Sequence, residues 1–310
     1  MAPLKEGGRL DMTDGPPRAG FGSAFLERST SMTASPIASR LRFATARAAT
    51  GPMLHYAEQG DPGGEALLFI HGWPDSWFSF SRVLPLLPAE YHAYAIDLRG
   101  FGDSERPVDG YTIDQFADDV VAFMDTVGIV RATLIGHSMG AFIARRVAEI
   151  RPERVARLTL IGSSVTALND VTLEVQEGVR PLADPLPLEF VREFQASALH
   201  IPVPEQFFAG IVSESLKAPA RVWQSAFDGL LAFDDAGQLE RITAPTLILW
   251  GDGDALFAGE DGQQRLAAAI PGAQLTVYPE TGHSPTWERP ERVAADLEGF
   301  VGRIGPAATI

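Results

Sequence analysis

The stretch that most restricts how this chain can fold is Gly136-His137-Ser138-Met139-Gly140. Ala132 to Ile135 before it has strand character, and Ala141 to Ile150 after it is helical in composition. A strand that turns directly into a helix needs small residues where the two backbones close on each other. Gly136 and Gly140, two places either side of Ser138, meet that need. The turn lifts the Ser138 side chain clear of the sheet in a strained backbone conformation. The Met139 N–H, at the start of the helix, then points to where negative charge would develop on an attacked carbonyl.

Apolar runs on either side extend this unit into a sheet. Arg42 to Ala48 and Met53 to Glu58, joined through Thr50-Gly51-Pro52, read as an antiparallel pair. Ala66 to Ile70, His92 to Ile96, Arg157 to Ile161, Thr246 to Trp250 and Gln274 to Tyr278 read as further strands. The first of these, Ala-Leu-Leu-Phe-Ile, is apolar throughout, as a strand buried on both faces requires. Helices are expected from about Trp77 to Leu87, over Thr112 to Val127, over Gln263 to Ile270 and from Pro290 to Val301. Alternation of strand and helix implies an α/β fold, a mostly parallel central sheet flanked by helices.

The alternation lapses between residues 163 and 240. That segment has a proline-rich hinge (Pro181, Pro185, Pro187) and helical pieces carrying Phe190 and Phe194, Phe207, Phe208 and Ile211, and Trp223, Phe227, Leu230 and Leu231. It reads as an inserted helical cap, with a core over 39–162 and 241–304 and a flexible N-terminal arm over 1–38. Most of the cap aromatics are expected to pack within the cap, because an amphipathic stripe first explains burial. Phe190, Phe194, Phe207, Phe208, Trp223 and Phe227 are the candidates to face a substrate.

Charge and cysteine content remove several classes of function. The formal charge is −15, which opposes binding to nucleic acid or to an anionic membrane surface. With no cysteine, thiolate catalysis, disulfides and Cys-ligated metal are excluded. No apolar run reaches the roughly 20 residues of a membrane span, and the N-terminus lacks the pattern of a secretory signal. A cytoplasmic protein without metal or other cofactor is the expectation. A homo-oligomer is compatible with the sequence, which does not set the assembly state.

Four strand ends carry residues suited to chemistry: His71-Gly72-Trp73, Ser138, Asp254 and His283. Ligand sites in open α/β sheets form beyond these carboxyl ends. A serine hydroxyl is a weak nucleophile at neutral pH and needs a base, and the base needs a carboxylate to hold its tautomer. Of six histidines, His283 is the best base, because Gly282 and Pro285 shape a loop just after a strand. His137 is adjacent to the serine but points away from its hydroxyl, His71 ties down its own loop, and His55, His92 and His200 show no partner. Asp252 competes with Asp254 for the acid. Asp254 is preferred, since it lies further past the strand end and can turn back toward His283. Asp97, Arg99 and Asp103 read as turn and ion-pair residues.

At these residues the chain resembles the α/β-hydrolase superfamily, in the branch of epoxide hydrolases, haloalkane dehalogenases, haloperoxidase-like esterases and carbon–carbon bond hydrolases. The matching segments are His71-Gly72-Trp73-Pro74, Asp97-Leu98-Arg99-Gly100-Phe101-Gly102-Asp103-Ser104, Gly136 to Gly140, Gly251-Asp252-Gly253-Asp254 and Gly282-His283-Ser284-Pro285. They lie within Leu41 to Val301. The chain order Ser138, Asp254, His283 is that superfamily's order of nucleophile, acid and base. The resemblance further implies that the Trp73 N–H joins that of Met139 as an oxyanion donor, each worth about 3 kcal/mol, and that Trp73-Pro74 is a cis peptide.

Departures from the pattern narrow the chemistry. Epoxide hydrolases use an aspartate nucleophile and two cap tyrosines; here Ser138 holds the nucleophile position, and no tyrosine lies between Tyr111 and Tyr278. Dehalogenases also need the aspartate, usually followed by a tryptophan where Met139 stands. Ala258 replaces a proline that the superfamily often has four residues after the acid. Gly162-Ser163-Ser164 removes the acid position that some relatives use after the preceding strand. The resulting expectation is a serine hydrolase for a small apolar carboxylic ester or lactone, with water as co-substrate. A large aromatic lactone, of the kind opened by zearalenone-type lactone hydrolases, is one such substrate. The alternatives are a carbon–carbon bond hydrolase of vinylogous diketones with the same triad, and a ligand receptor on the same fold.

Overall fold

Each interior strand alternates its side chains between two apolar layers. In β3 (Ala66–Ile70), Leu68 and Ile70 join the larger core cluster, and Leu67 and Phe69 the smaller one on the opposite face. That two-sided burial is why the run contains no polar residue. The protein is described by a computed structural model covering residues 41–47 and 51–303. The arm expected over 1–38 lies outside the described residues.

The sheet has eight strands in the order β1-β2-β4-β3-β5-β6-β7-β8. β1 (Arg42–Arg47) and β2 (Met53–Gly60) pair antiparallel, and β2 runs antiparallel to β4 (His92–Ile96). From β4 onward every pairing is parallel, through β3, β5 (Ala132–His137), β6 (Val155–Ile161), β7 (Thr246–Gly251) and β8 (Gln274–Tyr278). The chain leaves β3 for β4 on one side and returns to β5 on the other. This reversal opens a crevice beyond the carboxyl ends of β3 and β5.

Helices α1 (Ile113–Val127) and α2 (Met139–Ile150) pack on the larger apolar layer. α1 starts where the Thr112 hydroxyl accepts the Gln115 N–H at 3.2 Å and stops at Gly128, whose φ of 79° only glycine adopts without strain. α9 (Pro290–Arg303) covers the other face, through Val293, Leu297, Phe300 and Val301. The helix expected from Trp77 to Leu87 is instead two short 3₁₀ turns, Trp77–Phe80 and Leu84–Leu86. Pro85 has no N–H to bond back one turn, and its ring obstructs the preceding carbonyls, so an α-helix cannot continue there.

Between β6 and β7 the chain forms four helices, α3 (Asp170–Val179), α4 (Leu188–Ser197), α5 (Glu205–Ser215) and α6 (Ala220–Leu231). α7 (Glu260–Ala269) follows β7, and a single helical turn, α8 (Pro285–Glu288), precedes α9. Arg145 of α2 ties down both ends of the four-helix segment. Its guanidinium donates to the carbonyls of Ser164 and Val165 at 2.5 and 3.0 Å and to both carboxylate oxygens of Asp235 at 2.7 and 2.5 Å. Both partners of that ion pair are fully buried. Asp235→Ala strands the Arg145 charge in the interior and is expected to cost about 3–5 kcal/mol of stability, read as a lower midpoint in urea unfolding. Among the described residues no helix is long and apolar enough to cross a membrane.

Candidate active site

Ser138 sits at the tip of β5 with φ 52° and ψ −121°, one of two non-glycine residues with positive φ among the described residues. Such a conformation costs of order 1–3 kcal/mol and persists only where neighbours hold it. The neighbours here are backbone. A Cβ on Gly136 would stand 2.2 Å from the Gly140 carbonyl oxygen, and one on Gly140 would stand 2.1 Å from that of Ile70. The two glycines therefore let strand, turn and helix pass within van der Waals contact, and the Ser138 N–H is fixed to the Ile161 carbonyl at 2.9 Å.

His283 follows β8 in the loop ahead of α8. Its Nδ1–H donates to Asp254 Oδ2 at 2.9 Å. The other oxygen of Asp254 accepts the N–H groups of Leu256 and Phe257 at 2.9 and 3.0 Å. Burial by itself raises the Asp254 carboxyl, but the His283 ring and those two N–H groups outweigh it and hold the group below its ordinary value. Asp254 is thus a charged acceptor at neutral pH, and it keeps the His283 proton on Nδ1. Nε2 is left with its lone pair available.

The loop that carries His283 is pinned from several sides. His137 Nε2–H donates to the His283 carbonyl at 3.0 Å, which gives this buried histidine its role. Burial first, and the nearby His283 second, push the His137 imidazole down to about 3, so it stays neutral. The His283 N–H bonds to the Ala198 carbonyl at 2.9 Å, at the end of α4. Glu288 accepts the Gly282 N–H at 2.8 Å with one oxygen and those of His200 and Ile201, at 3.2 and 2.9 Å, with the other.

Ser138 and His283 line one narrow cavity, part of it open to solvent. Trp73, Phe194, Phe227, Leu230, Leu256, Phe257 and Trp287 make its apolar walls, and Asp75, His137, Thr172, Gln195 and Ser284 its polar ones. Among the described residues the Ser138 hydroxyl makes no hydrogen bond, and the N–H groups of Trp73 and Met139, both in buried residues, have no partner either. The Trp73-Pro74 peptide is cis.

Of the candidate substrate contacts, Trp73, Phe194 and Phe227 reach the cavity wall; Phe190, Phe207, Phe208 and Trp223 do not. Trp223 is fully buried behind Trp73, with ring centroids 4.9 Å apart, and its Nε1–H donates to the Ser215 carbonyl. Phe190 packs near Trp223, Phe207 stacks on Phe78 and meets Trp287, and the Arg192 guanidinium lies over Phe208. Hydrophobic spacing marked these four as buried but carried no information on which buried side adjoins the serine. Asp75 and Gln195 were missed, since isolated polar residues in a loop and a helix carry no periodic signal.

The rings of three other histidines are hydrogen-bonded. His71 Nδ1–H donates to the Gly72 carbonyl at 2.7 Å and its Nε2 accepts the Leu98 N–H at 3.0 Å. His55 bonds Asp97 at 2.8 Å and His92 lies 3.3 Å from Glu58, structural pairings of which the sequence carried no signal. His55, Asp97 and Asp103 are close enough together to share a cation. Their oxygens are already engaged: Asp97 accepts the N–H groups of Trp77 and Asp103, and Asp103 pairs with Lys217 at 2.9 Å. Arg99 forms a two-pronged pair with Asp119, the structural role expected of it.

Comparison with known proteins agrees with this architecture. Residues 65–290 match the family model described as the alpha/beta hydrolase fold. A 2-hydroxy-6-oxononadienedioate/2-hydroxy-6-oxononatrienedioate hydrolase of Pseudomonas putida is 32% identical, covering 77% of this chain and 87% of its own. A bifunctional esterase/perhydrolase of Acinetobacter calcoaceticus is 28% identical over 81% of this chain and 96% of its own. The crystal structure of a bromoperoxidase from Bacillus anthracis superposes with a TM-score of 0.74 at 25% identity, covering 84% of this chain and all of that one. From the serine turn at the tip of β5 to the histidine loop after β8, this chain belongs to the α/β-hydrolase fold family of hydrolases.

Proposed function

We propose that the protein is a serine hydrolase of carboxylic esters or lactones that carry a sizeable apolar portion. The observation that carries this reading is the meeting of Ser138, on its strained turn, with a His283 imidazole whose Nδ1 is held 2.9 Å from Asp254, in one apolar cavity. In the reaction Ser138 attacks the carbonyl as His283 Nε2 takes its proton. Asp254 orients the ring and stabilises its cation. The unpaired N–H groups of Trp73 and Met139 hold the developing oxyanion. His283 then returns the proton to the departing alcohol and activates the water that frees the acid. Helices α3 to α6 act as the cap: Phe194, Phe227 and Leu230 roof the cavity, and movement of these helices admits substrate.

A second reading, carbon–carbon bond cleavage, is favoured by the similarity to the Pseudomonas putida enzyme. That relative's name specifies a dicarboxylate. Among the described residues lining the cavity here there is neither lysine nor arginine, and a buried carboxylate without a cation pays a large desolvation cost. A neutral apolar ester suits these walls better. The test is a panel of aryl esters, alkyl esters, lactones and vinylogous diketones, the last with and without carboxylates. Turnover of neutral esters or lactones at least about 100-fold above the diketones, by kcat/KM, is expected. Preference for a dicarboxylate diketone would overturn the assignment.

A further inference from the structure

Asp75 is the one acidic cavity-lining residue that the hydrolytic steps leave unused, apart from the triad's supports. It lies two residues past Trp73, in the turn closed by its own N–H on the Gly72 carbonyl at 3.0 Å, and only 4% of it is exposed. Gln195 of α4, equally buried, reaches across from the four-helix segment. Its Nε2 donates one hydrogen to Asp75 Oδ1 at 2.9 Å and the other to Ser215 Oγ at 2.8 Å. Ser215 Oγ in turn donates to the Ile211 carbonyl at 2.8 Å, which fixes the direction of the chain. Both donor positions of Gln195 are therefore spent. Gln195 Oε1 makes no hydrogen bond among the described residues, the Asp75 carboxyl has the Ser79 hydroxyl as its other hydrogen-bonding neighbour, and both Asp75 and Gln195 line the cavity with Ser138 and His283.

Charge decides what this pair can recognise. Among the described residues neither lysine nor arginine acts on Asp75; the groups that do are the amide of Gln195, the hydroxyl of Ser79 and, across the cavity, His283. Burial pushes the carboxyl up to about 7, against the smaller opposing pull of Gln195, Ser79 and His283. Below that pH Asp75 is a carboxylic acid, so Oδ2 bears a proton and donates. Gln195 Oε1 beside it is fixed as an acceptor. A donor next to an acceptor, both rigidly held in an otherwise apolar pocket, is the composition of a polar-group recognition site.

We infer that Asp75 and Gln195 form a specificity site for a neutral oxygen on the substrate, a hydroxyl or keto group remote from the scissile carbonyl. This rests on Ser138 being the nucleophile of an ester hydrolase, because the oxygen is read relative to a carbonyl held at Ser138. A keto oxygen accepts from Asp75. A hydroxyl accepts from Asp75 and donates to Gln195. A carboxylate finds only a competing acid and an acceptor, with no cation to balance it. A site built around such a pair rejects the analogue without the oxygen, because the two groups are then buried without partners.

The experiment compares para-nitrophenyl hexanoate with its hydroxyhexanoate and ketohexanoate isomers, which carry the extra oxygen at successive carbons. The leaving group is constant, and each ratio of kcat/KM values compares two esters at the same pH. For at least one isomer the wild-type ratio to the plain ester is expected to exceed about tenfold near pH 6. The keto preference should fall as pH rises through about 7, because the Asp75 carboxylate no longer donates. Asp75→Asn, which keeps an N–H donor in nearly the same volume, should retain a preference and remove its pH dependence. Asp75→Leu should remove the preference itself. Labelling of Ser138 by a fluorophosphonate, with every ratio near one or unchanged in Asp75→Leu, would overturn the specificity site alone. Absence of both labelling and ester turnover would overturn the hydrolase reading and this inference with it.

Discussion

Ser138→Ala is expected to lower kcat on any ester substrate by at least about 10⁵-fold, because the covalent route is lost and only the oxyanion donors and binding remain. The fold should survive. The Ser138 hydroxyl makes no hydrogen bond among the described residues, and alanine relieves nothing and buries nothing new. The residue's φ of 52° costs an alanine about what it costs the serine. Unfolding curves should therefore nearly coincide while turnover disappears. A receptor in which hydrolysis is incidental would keep its ligand affinity in the same variant, so measuring binding beside turnover separates that alternative.

Asp254→Asn should cost about 10⁴-fold in kcat with little change in KM. The asparagine amide can still accept from Leu256 and Phe257 through its oxygen, as Asp254 Oδ1 does now. Its NH₂ would then face His283 and favour the wrong tautomer, with the proton on Nε2 and no base toward the serine. The pH dependence follows from the same contacts. Asp254 is held below its ordinary carboxyl value, so its charge, and its share of stability, are complete at neutral pH and are lost only as pH falls through the lower, folded-state value.

Much of this site could be read from the chain because its residues, His283 after the edge strand β8 excepted, follow interior strands. Ala132–His137 and Thr246–Gly251 are buried along their whole length and Ala66–Ile70 along all but its first residue; their apolar runs end abruptly, and Trp73, Ser138 and Asp254 stand just beyond those ends. What was not read has two sources, local backbone chemistry and contacts between distant segments. Pro85 broke an apolar spacing that otherwise looked helical. α3 escaped notice because its buried face comprises little more than Thr172 and Val179. Between β6 and β7, Phe194 and Trp223 belong to the same aromatic cluster around Trp73, yet one lines the cavity with the serine and the other lies behind it. Spacing along a helix reports that a side chain is buried, not which neighbour buries it. Asp75 and Gln195, 120 residues apart, illustrate the same limit for polar groups.

The most direct measurement is mass-spectrometric mapping of the adduct formed with a fluorophosphonate. A single phosphonyl group on the peptide containing Ser138, formed slowly or not at all in Asp254→Asn and absent from Ser138→Ala, is the expected result. An adduct on any other residue, or equal labelling of Ser138→Ala, would contradict Ser138 as the nucleophile.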